Sequence, residues 1–410
     1  MTLLPDEPGM RAVASGVSVD MDRSQDPARS HCARTEVWTR AEQLEEHAAA
    51  VDDLLASTGA PVMVGRRWWR AWLEAFPDAS PWVVARIDGS GRLVALAPLA
   101  RYRRAGWTQL VALGDGVSDQ MRLPARTDRD AVALARFLVD HLHAVRGAWT
   151  IDLCQLPLDD DVVGALAVGL PNASVEAGAA SPRTAITSRE SSHYLSRNHR
   201  KIARNMMNRL ETGGHRPRVE FLTQPEDVGA VLDEVVRVCR VRQREMMGRS
   251  HLDAPEMERF FRRAVTSLAE DGAIEVALLM ADDGIAAYQV DLLDDRVYRI
   301  WNPHYDPVWA AFSPGHVLRH HVVERVVADD RYHEIDWMMG TQPYKMRRAT
   351  HTVDAVRLRA SSSRLAGMAA FGPERIRRRA VTVAREHESS TRVLEFLRRA
   401  RRHLPGSASA

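Results

Sequence analysis

The chain has 410 residues, 45% of them apolar, which is too long for one ordinary core and composed like a folded protein of two or three domains. Its 56 Lys+Arg and 54 Asp+Glu nearly cancel to a net +2, so overall charge does not announce a nucleic-acid binder. Cys32, Cys154 and Cys239 lie far apart without CxxC or Cys/His spacing, which argues against a disulfide framework or zinc site and suits a reducing cytoplasm. Residues 1–34 begin "MTLLPDEPGMRAVASG", broken by Pro and Gly, and are expected to be a disordered tail rather than a signal peptide. No window of about 18 uninterrupted apolar residues predicts a membrane span, so no integral membrane association is expected.

In chain order, "PVMVGRRWWRAWLEAF" (61–76) carries apolar residues three and four apart and reads as a helix. Strands are expected at 82–88, 92–104 and 107–113. A helix over 128–144 with Asp128 as its N-cap and a strand over 149–156 follow. The same order then recurs. "PEMERFFRRAVTSLAED" (255–271) is a helix with Pro255 in its first turn, followed by strands at 274–280, 285–293 and 296–303. A helix over 313–327, with Ser313 as N-cap and Pro314 at the first helical position, leads to a strand over 333–339. Both halves read α–β–β–β–α–β, and their matching lengths favour duplication over two unrelated domains. Between them lie a basic helix, "YLSRNHRKIARNMMNRLETGG" (194–214), a short strand and a long amphipathic helix over 225–246.

The basic helix, "YRIWNPHYDPVWAAFSPGHVL" and "EIDWMMGTQPYKMRR", in this order, resemble the GNAT superfamily of N-acyltransferases. More narrowly they are similar to double-GNAT proteins of the CelD/BcsL-like family, relatives of the Fem aminoacyl-tRNA-dependent transferases. The resemblance runs from about Trp38 to Arg359. It implies an α+β fold of two tandem GNAT-like domains, each a mixed, mostly antiparallel sheet flanked by helices. The expected boundaries are 35–185 for an N-terminal, non-catalytic unit that walls the acceptor cleft, 186–360 for the catalytic unit, and 361–410 for a basic helical tail with a disordered end.

The resemblance also implies an acyl donor, acyl-CoA by default, held at the N-terminus of the 313–327 helix by Ser313, Pro314, Gly315 and His316. The usual glycine-rich loop is reduced here to Gly315 alone, which leaves carrier-protein thioester and aminoacyl-tRNA open as donors. In the first half, "GDGVSDQMRLPARTDRD" puts acidic residues where a pyrophosphate would sit.

Acyl transfer to an amine needs proton removal, stabilisation of an oxyanion and a leaving group that accepts a proton. Only two lysines occur in this arginine-rich chain, and Lys345, a compact ammonium, suits the oxyanion or a phosphate. Asp336 is either a general base or the structural partner of an arginine, and Tyr344 either protonates the leaving group or packs. Trp301 and Tyr305 are candidates for lining the acyl or acceptor pocket; Asp306, before Pro307, fits that pocket or plain turn chemistry. One of Tyr288 and Gln289 faces the cleft by alternation, and Gln342 lies in the same loop as Lys345. His316 and His320 share a helix face, but without a carboxylate-rich motif no metal is expected. From Arg364 to Arg402 the tail holds eleven Arg and four acidic residues, so that it and the 197–209 helix are possible tRNA contacts. Acceptors in view are small-molecule amines and amino-sugars, with a non-catalytic scaffold on a GNAT fold as the remaining alternative.

Overall fold

In the computed structural model, which describes residues 33–104 and 106–374, two seven-stranded sheets account for the strands of the described residues. The first unit runs β1 (Arg34–Trp38), α1 (Ala41–Glu46), α2 (Ala48–Ser57), α3 (Arg66–Ala75), β2 (Ala79–Ile87), β3 (Leu93–Arg104), β4 (Trp107–Ala112), α4 (Asp128–Ala144), β5 (Ala148–Pro157), α5 (Asp161–Gly169) and β6 (Ser174–Ala177). The chain continues through β7 (Ser181–Ala185), α6 (Arg197–Thr212), β8 (Pro217–Leu222), α7 (Pro225–Met247), α8 (Pro255–Glu270), β9 (Ile274–Ala281), β10 (Gly284–Leu293) and β11 (Val297–Tyr305). It ends with α9 (Pro314–Ala328), β12 (Glu334–Asp336), α10 (Pro343–Met346), β13 (His351–Val353) and β14 (Ala355–Ser361). Residues 364–374 are helical, and the rest of the basic tail, like residues 1–32, lies outside the described residues.

The duplicated order is present: α3–β2–β3–β4–α4–β5 repeats as α8–β9–β10–β11–α9–β12. In each copy one strand pair is parallel, β4 with β5 and β11 with β12, while the remaining pairs are antiparallel. A parallel pair needs a crossover, which α4 and α9 supply.

The boundary at 185/186 is corrected by the strand order, β1-β2-β3-β4-β5-β14-β6 and β13-β7-β12-β11-β10-β9-β8. Strand β7 belongs to the second sheet, beside β12, and β14 returns to the first, between β5 and β6. Each sheet is therefore completed by a segment from the far side of the other. The two crossings run side by side: the Gly178 N–H donates to the Ala355 carbonyl at 2.7 Å. A Cβ at Gly178 would lie 3.0 Å from the Ala355 carbonyl carbon and 2.8 Å from Gln155 Oε1, so the close approach requires glycine.

One core lies between the units. Trp68, Trp69 and Trp72 of α3 are buried, and Trp68 meets Phe260 of α8 at 5.0 Å and Trp301 of β11 at 5.1 Å, edge to face. Each buried indole removes about 150–250 Å² from water, worth on the order of 4–6 kcal/mol. This core fixes the first unit against the sheet face opposite α9. The Thr127 hydroxyl, not Asp128, caps α4 by accepting from the Asp130 N–H; Asp128 is the first helical residue, where its charge suits the helix dipole. Among the described residues no helix is long and apolar enough to cross a membrane.

Candidate functional site

Strand β12 is three residues long and pairs with β11 only from Val297 to Arg299. Beyond Arg299, β11 runs on to Tyr305, while the chain after Asp336 turns away through Met338 (φ 61°) and Gly340 (φ 104°). The two parallel strands thus part, and the edge of β11 from Ile300 to Tyr305 has no β12 residue beside it. A left-handed methionine costs roughly 1–3 kcal/mol. It is held because its N–H donates to Asp336 Oδ1 (2.8 Å), its side chain is buried, and its carbonyl accepts from Lys345 Nζ (3.2 Å).

Lys345 is buried at the point of parting. Its ammonium donates to the Met339 carbonyl at 2.8 Å as well as to that of Met338. Burial pushes its pKa down, while Asp119 and Asp336 pull it up. Asp119 comes from the first unit and accepts from the Met339 N–H at 3.3 Å; burial raises its pKa to about 6 against the opposing charge of Lys345. It lines a cavity of about 230 Å³ between the units together with Gln120, Ser181, Arg183 and Arg299. The acidic loop of the first half is therefore a wall of this site. Its Asp115 is half-buried, its pKa raised to about 7 by desolvation and by Asp152.

Of the two roles open to Asp336, the structure shows the structural one. It is fully buried, with Oδ2 accepting from Arg299 Nη1 (2.6 Å) and Gln120 Nε2 (2.5 Å), and Arg183 Nε 3.3 Å away. Its partners occupy it, which corrects its assignment as a base. Asp306 is likewise buried, capping the 3-10 turn Pro307–Phe312 through the Val308 N–H and paired with Arg237 at 2.5 Å. Turn chemistry is its role.

Trp301 is the extra residue of a β-bulge, since Val290 faces Asn302 and Asp291 faces Ile300. The bulge turns its ring into the core between the units, against Trp68 and Phe261, rather than into a pocket opened by the parting strands. Tyr288 points to the α7 side and donates to Asn302 Oδ1 at 2.7 Å in a closed core, so it does not face the crevice. Gln289, one residue on, takes the opposite face, that of α9.

Ser313 is not the expected side-chain cap. It sits in the left-handed region (φ 47°), and its carbonyl accepts from the His316 and Val317 N–H groups. Pro314 is buried at the first helical position. Tyr305 closes over the start of α9: a Cβ on Gly315 would touch its ring at 3.4 Å, and the Arg242 guanidinium lies over that ring, 4.1 Å from its centre. His316 stacks on His199 of α6 at 5.2 Å, and His320 lies beside Glu324. Gln342 is exposed, its carbonyl accepting from the Lys345 and Met346 N–H groups and its amide lying against Gly340. Among the described residues no three His, Cys, Asp or Glu side chains gather as metal ligands.

Tyr344 is partly buried under Arg319, whose guanidinium carbon is 4.8 Å from its ring centre; Arg348 Nη1 donates to the Tyr344 carbonyl at 3.1 Å. Sequence reasoning missed Arg319, Arg348, Asp119 and Gln120. Only "YKMRR" offered a hint, two arginines trailing the lysine.

These features define a two-unit α+β protein whose second unit has a parallel strand pair parting beside a crossover helix. Residues 197–346 match the family described as acetyltransferase (GNAT) domain. The solved structure of FemX shares the fold, with a TM-score of 0.53 at 11% identity over 79% of this chain and 96% of FemX. Two further solved structures are similar. One is the C-terminal DUF2156 domain of a putative lysylphosphatidylglycerol synthetase from Agrobacterium fabrum (TM-score 0.49, 11% identity, 80% of this chain and 95% of that one). The other is a tandem GNAT protein of the clavulanic acid biosynthesis pathway (TM-score 0.42, 14% identity, 81% and 99%). Comparison with curated proteins finds no match in sequence.

Proposed function

We propose that the chain is an N-acyltransferase that moves an acyl group, by default from acyl-CoA, onto the amine of a small molecule or amino-sugar in the cytoplasm. The observation that supports this most is the parting of β11 from β12 beyond Arg299, with a buried ammonium at its inner end. In this reading the donor's extended arm pairs with the free backbone edge of β11 from Ile300 onward. Its carbonyl reaches the turn at Met338–Gly340. Two protons of the Lys345 ammonium go to carbonyls, and the third stabilises the oxyanion. The acceptor amine enters from the cavity between the units. Asp119 takes its proton, since a carboxylate with a pKa raised toward neutrality is suited to that work. The first unit is then non-catalytic in fold but supplies the base. The leaving thiolate takes up a proton from solvent.

The pH dependence tests this. Asp119 acts as a base only when ionised, so kcat/KM rises as pH passes through about 6. Asp119→Asn removes that limb and lowers kcat at least a hundredfold. An unchanged profile in the variant rules the assignment out.

A second donor, aminoacyl-tRNA, is favoured by α6. Among the described residues none of Arg197, Arg200, Lys201 and Arg204 has an acidic partner, so this helix presents a run of free cations suited to phosphates. Ribonuclease-sensitive transfer from charged tRNA would establish this donor, and ribonuclease-insensitive transfer from acyl-CoA would exclude it.

A further inference from the structure

The N-terminus of α9 cannot wrap a diphosphate with its backbone. Pro314 has no N–H, and the N–H groups of His316 and Val317 are bonded to the Ser313 carbonyl, which leaves Gly315. One turn further on, the same helix carries a different kind of donor. The Arg319 Nε is buried without a hydrogen-bond partner, and so is that of Arg348. Among the described residues neither guanidinium has a carboxylate at ion-pair distance, although the chain's arginines are paired at many other places, from Arg66 with Asp52 to Arg359 with Asp152.

The carboxyl whose charge would reach Arg319 is that of Asp291, in the sheet below, and it lies beside a second acid. The Tyr298 hydroxyl has one proton, yet lies 2.7 Å from Asp291 Oδ2 and 2.9 Å from Glu275 Oε1. Two such contacts need a second proton on a carboxyl. Glu275 is paired with Arg325 at 2.5 Å, so the proton is assigned to Asp291, whose pKa is raised to about 8 by burial and by Glu275. Arg319 therefore has no full counter-charge.

The positive groups around Tyr344 consequently act on one another. Burial, Arg319 and Arg347 lower the Arg348 pKa to about 10. Burial lowers the pKa of both His316 and His199, with the arginines adding to it. Gathering half-buried cations without acids destabilises the empty protein. Two planar guanidinium groups, Arg319 over the Tyr344 ring and Arg348 between the Tyr344 carbonyl and the Trp337 ring (5.6 Å), each keep an unused Nε–H and match phosphate oxygens, which accept paired N–H donors.

Building on the acyl-transfer reading, we propose that Arg319, over the Tyr344 ring, and Arg348, on the Tyr344 carbonyl, form a subsite for the phosphate groups of the donor, in place of a backbone cradle. The shared chemistry is a phosphate ester next to an adenosine, which both CoA and the 3′ end of a tRNA carry.

Calorimetric titration of the full chain with inorganic pyrophosphate tests it. Arg319→Gln and Arg348→Gln each weaken binding at least tenfold, without lowering the thermal midpoint of the unliganded protein, because a repelling charge has been removed. Arg259→Gln, an exposed arginine on α8, leaves binding unchanged. In the wild-type chain, pyrophosphate protects Arg348 from phenylglyoxal, read by mass spectrometry, which serves even if Arg319→Gln fails to fold. Equal binding by all three variants, an equal loss in all three, or no protection would overturn the proposal. Competition by CoA or by an RNA hairpin ending in 3′-adenosine supports it and identifies the source; competition by neither overturns it. Tenfold losses in a protein that transfers no acyl group from any donor would remove the activity reading and leave the subsite standing. Intact transfer with unaltered pyrophosphate binding would do the reverse.

Discussion

A chain ending at Val353 does not fold, although it keeps every residue of the stretch 197–346 that matches the GNAT family. It lacks β14, which pairs on one side with β5 and on the other with β6, so β6 is cut off from the first sheet and β5 becomes an unpaired edge. Val356, Leu358 and Ala360 leave the core, a loss of about 4–6 kcal/mol at 1.5–3 kcal/mol per large side chain. Asp152, held by Arg357 (2.6 Å) and Arg359 (3.3 Å), becomes a buried charge without partners, a further ~3–5 kcal/mol. Together these approach the whole stability of an ordinary domain, about 5–15 kcal/mol. A chain ending at Glu374 keeps β14 and the Glu374 pairing with Arg357 (2.7 Å) and Arg359. It folds. Circular dichroism and proteolysis of the two truncations provide the comparison, and a folded chain ending at Val353 would show that the second unit does not depend on the returned strand.

The second large effect is at Asp336. Asp336→Ala leaves Arg299 buried beside an empty site, with Arg183 and Gln120 also unpartnered at that carboxylate, and destabilises the protein by about 3–5 kcal/mol. It also frees the Met338 N–H, so the turn that parts β12 from β11 loosens. Asp336→Asn keeps the shape and one acceptor and falls between the two. The loss shows in urea midpoints measured without substrate. A variant as stable as the wild type, but without activity, would restore Asp336 to a role in the chemistry.

Much of this was legible in the amino acids. The repeated order of helix and strands, the placement of α3, α8 and α9, and the glycine end of α6 follow from local periodicity and punctuation, which depend on near neighbours alone. Strand partners do not. "AVRLRAS" (355–361) reads as a strand wherever it goes, and nothing local says that its ladder lies with β5, more than two hundred residues earlier. Helices α1 and α2, rich in alanine and charge, carry too weak an apolar stripe to stand out. Lys345, one of two lysines, could be singled out by composition, but its carbonyl partners depend on the left-handed Met338, a conformation that no methionine announces. Arg319 hid in a helix with histidines around it, and its lack of an acid is visible only when the neighbouring elements are in place.

In the proposed reaction the donor enters where β11 and β12 part. Photolysis of the full chain with an acyl-CoA carrying a diazirine at the acyl end, followed by peptide mapping, measures this directly. The label falls within 300–305 or 337–345, the two sides of the crevice, and excess CoA displaces it. Label confined to the first unit beyond the Asp119 loop, or a distribution that CoA does not change, would contradict it.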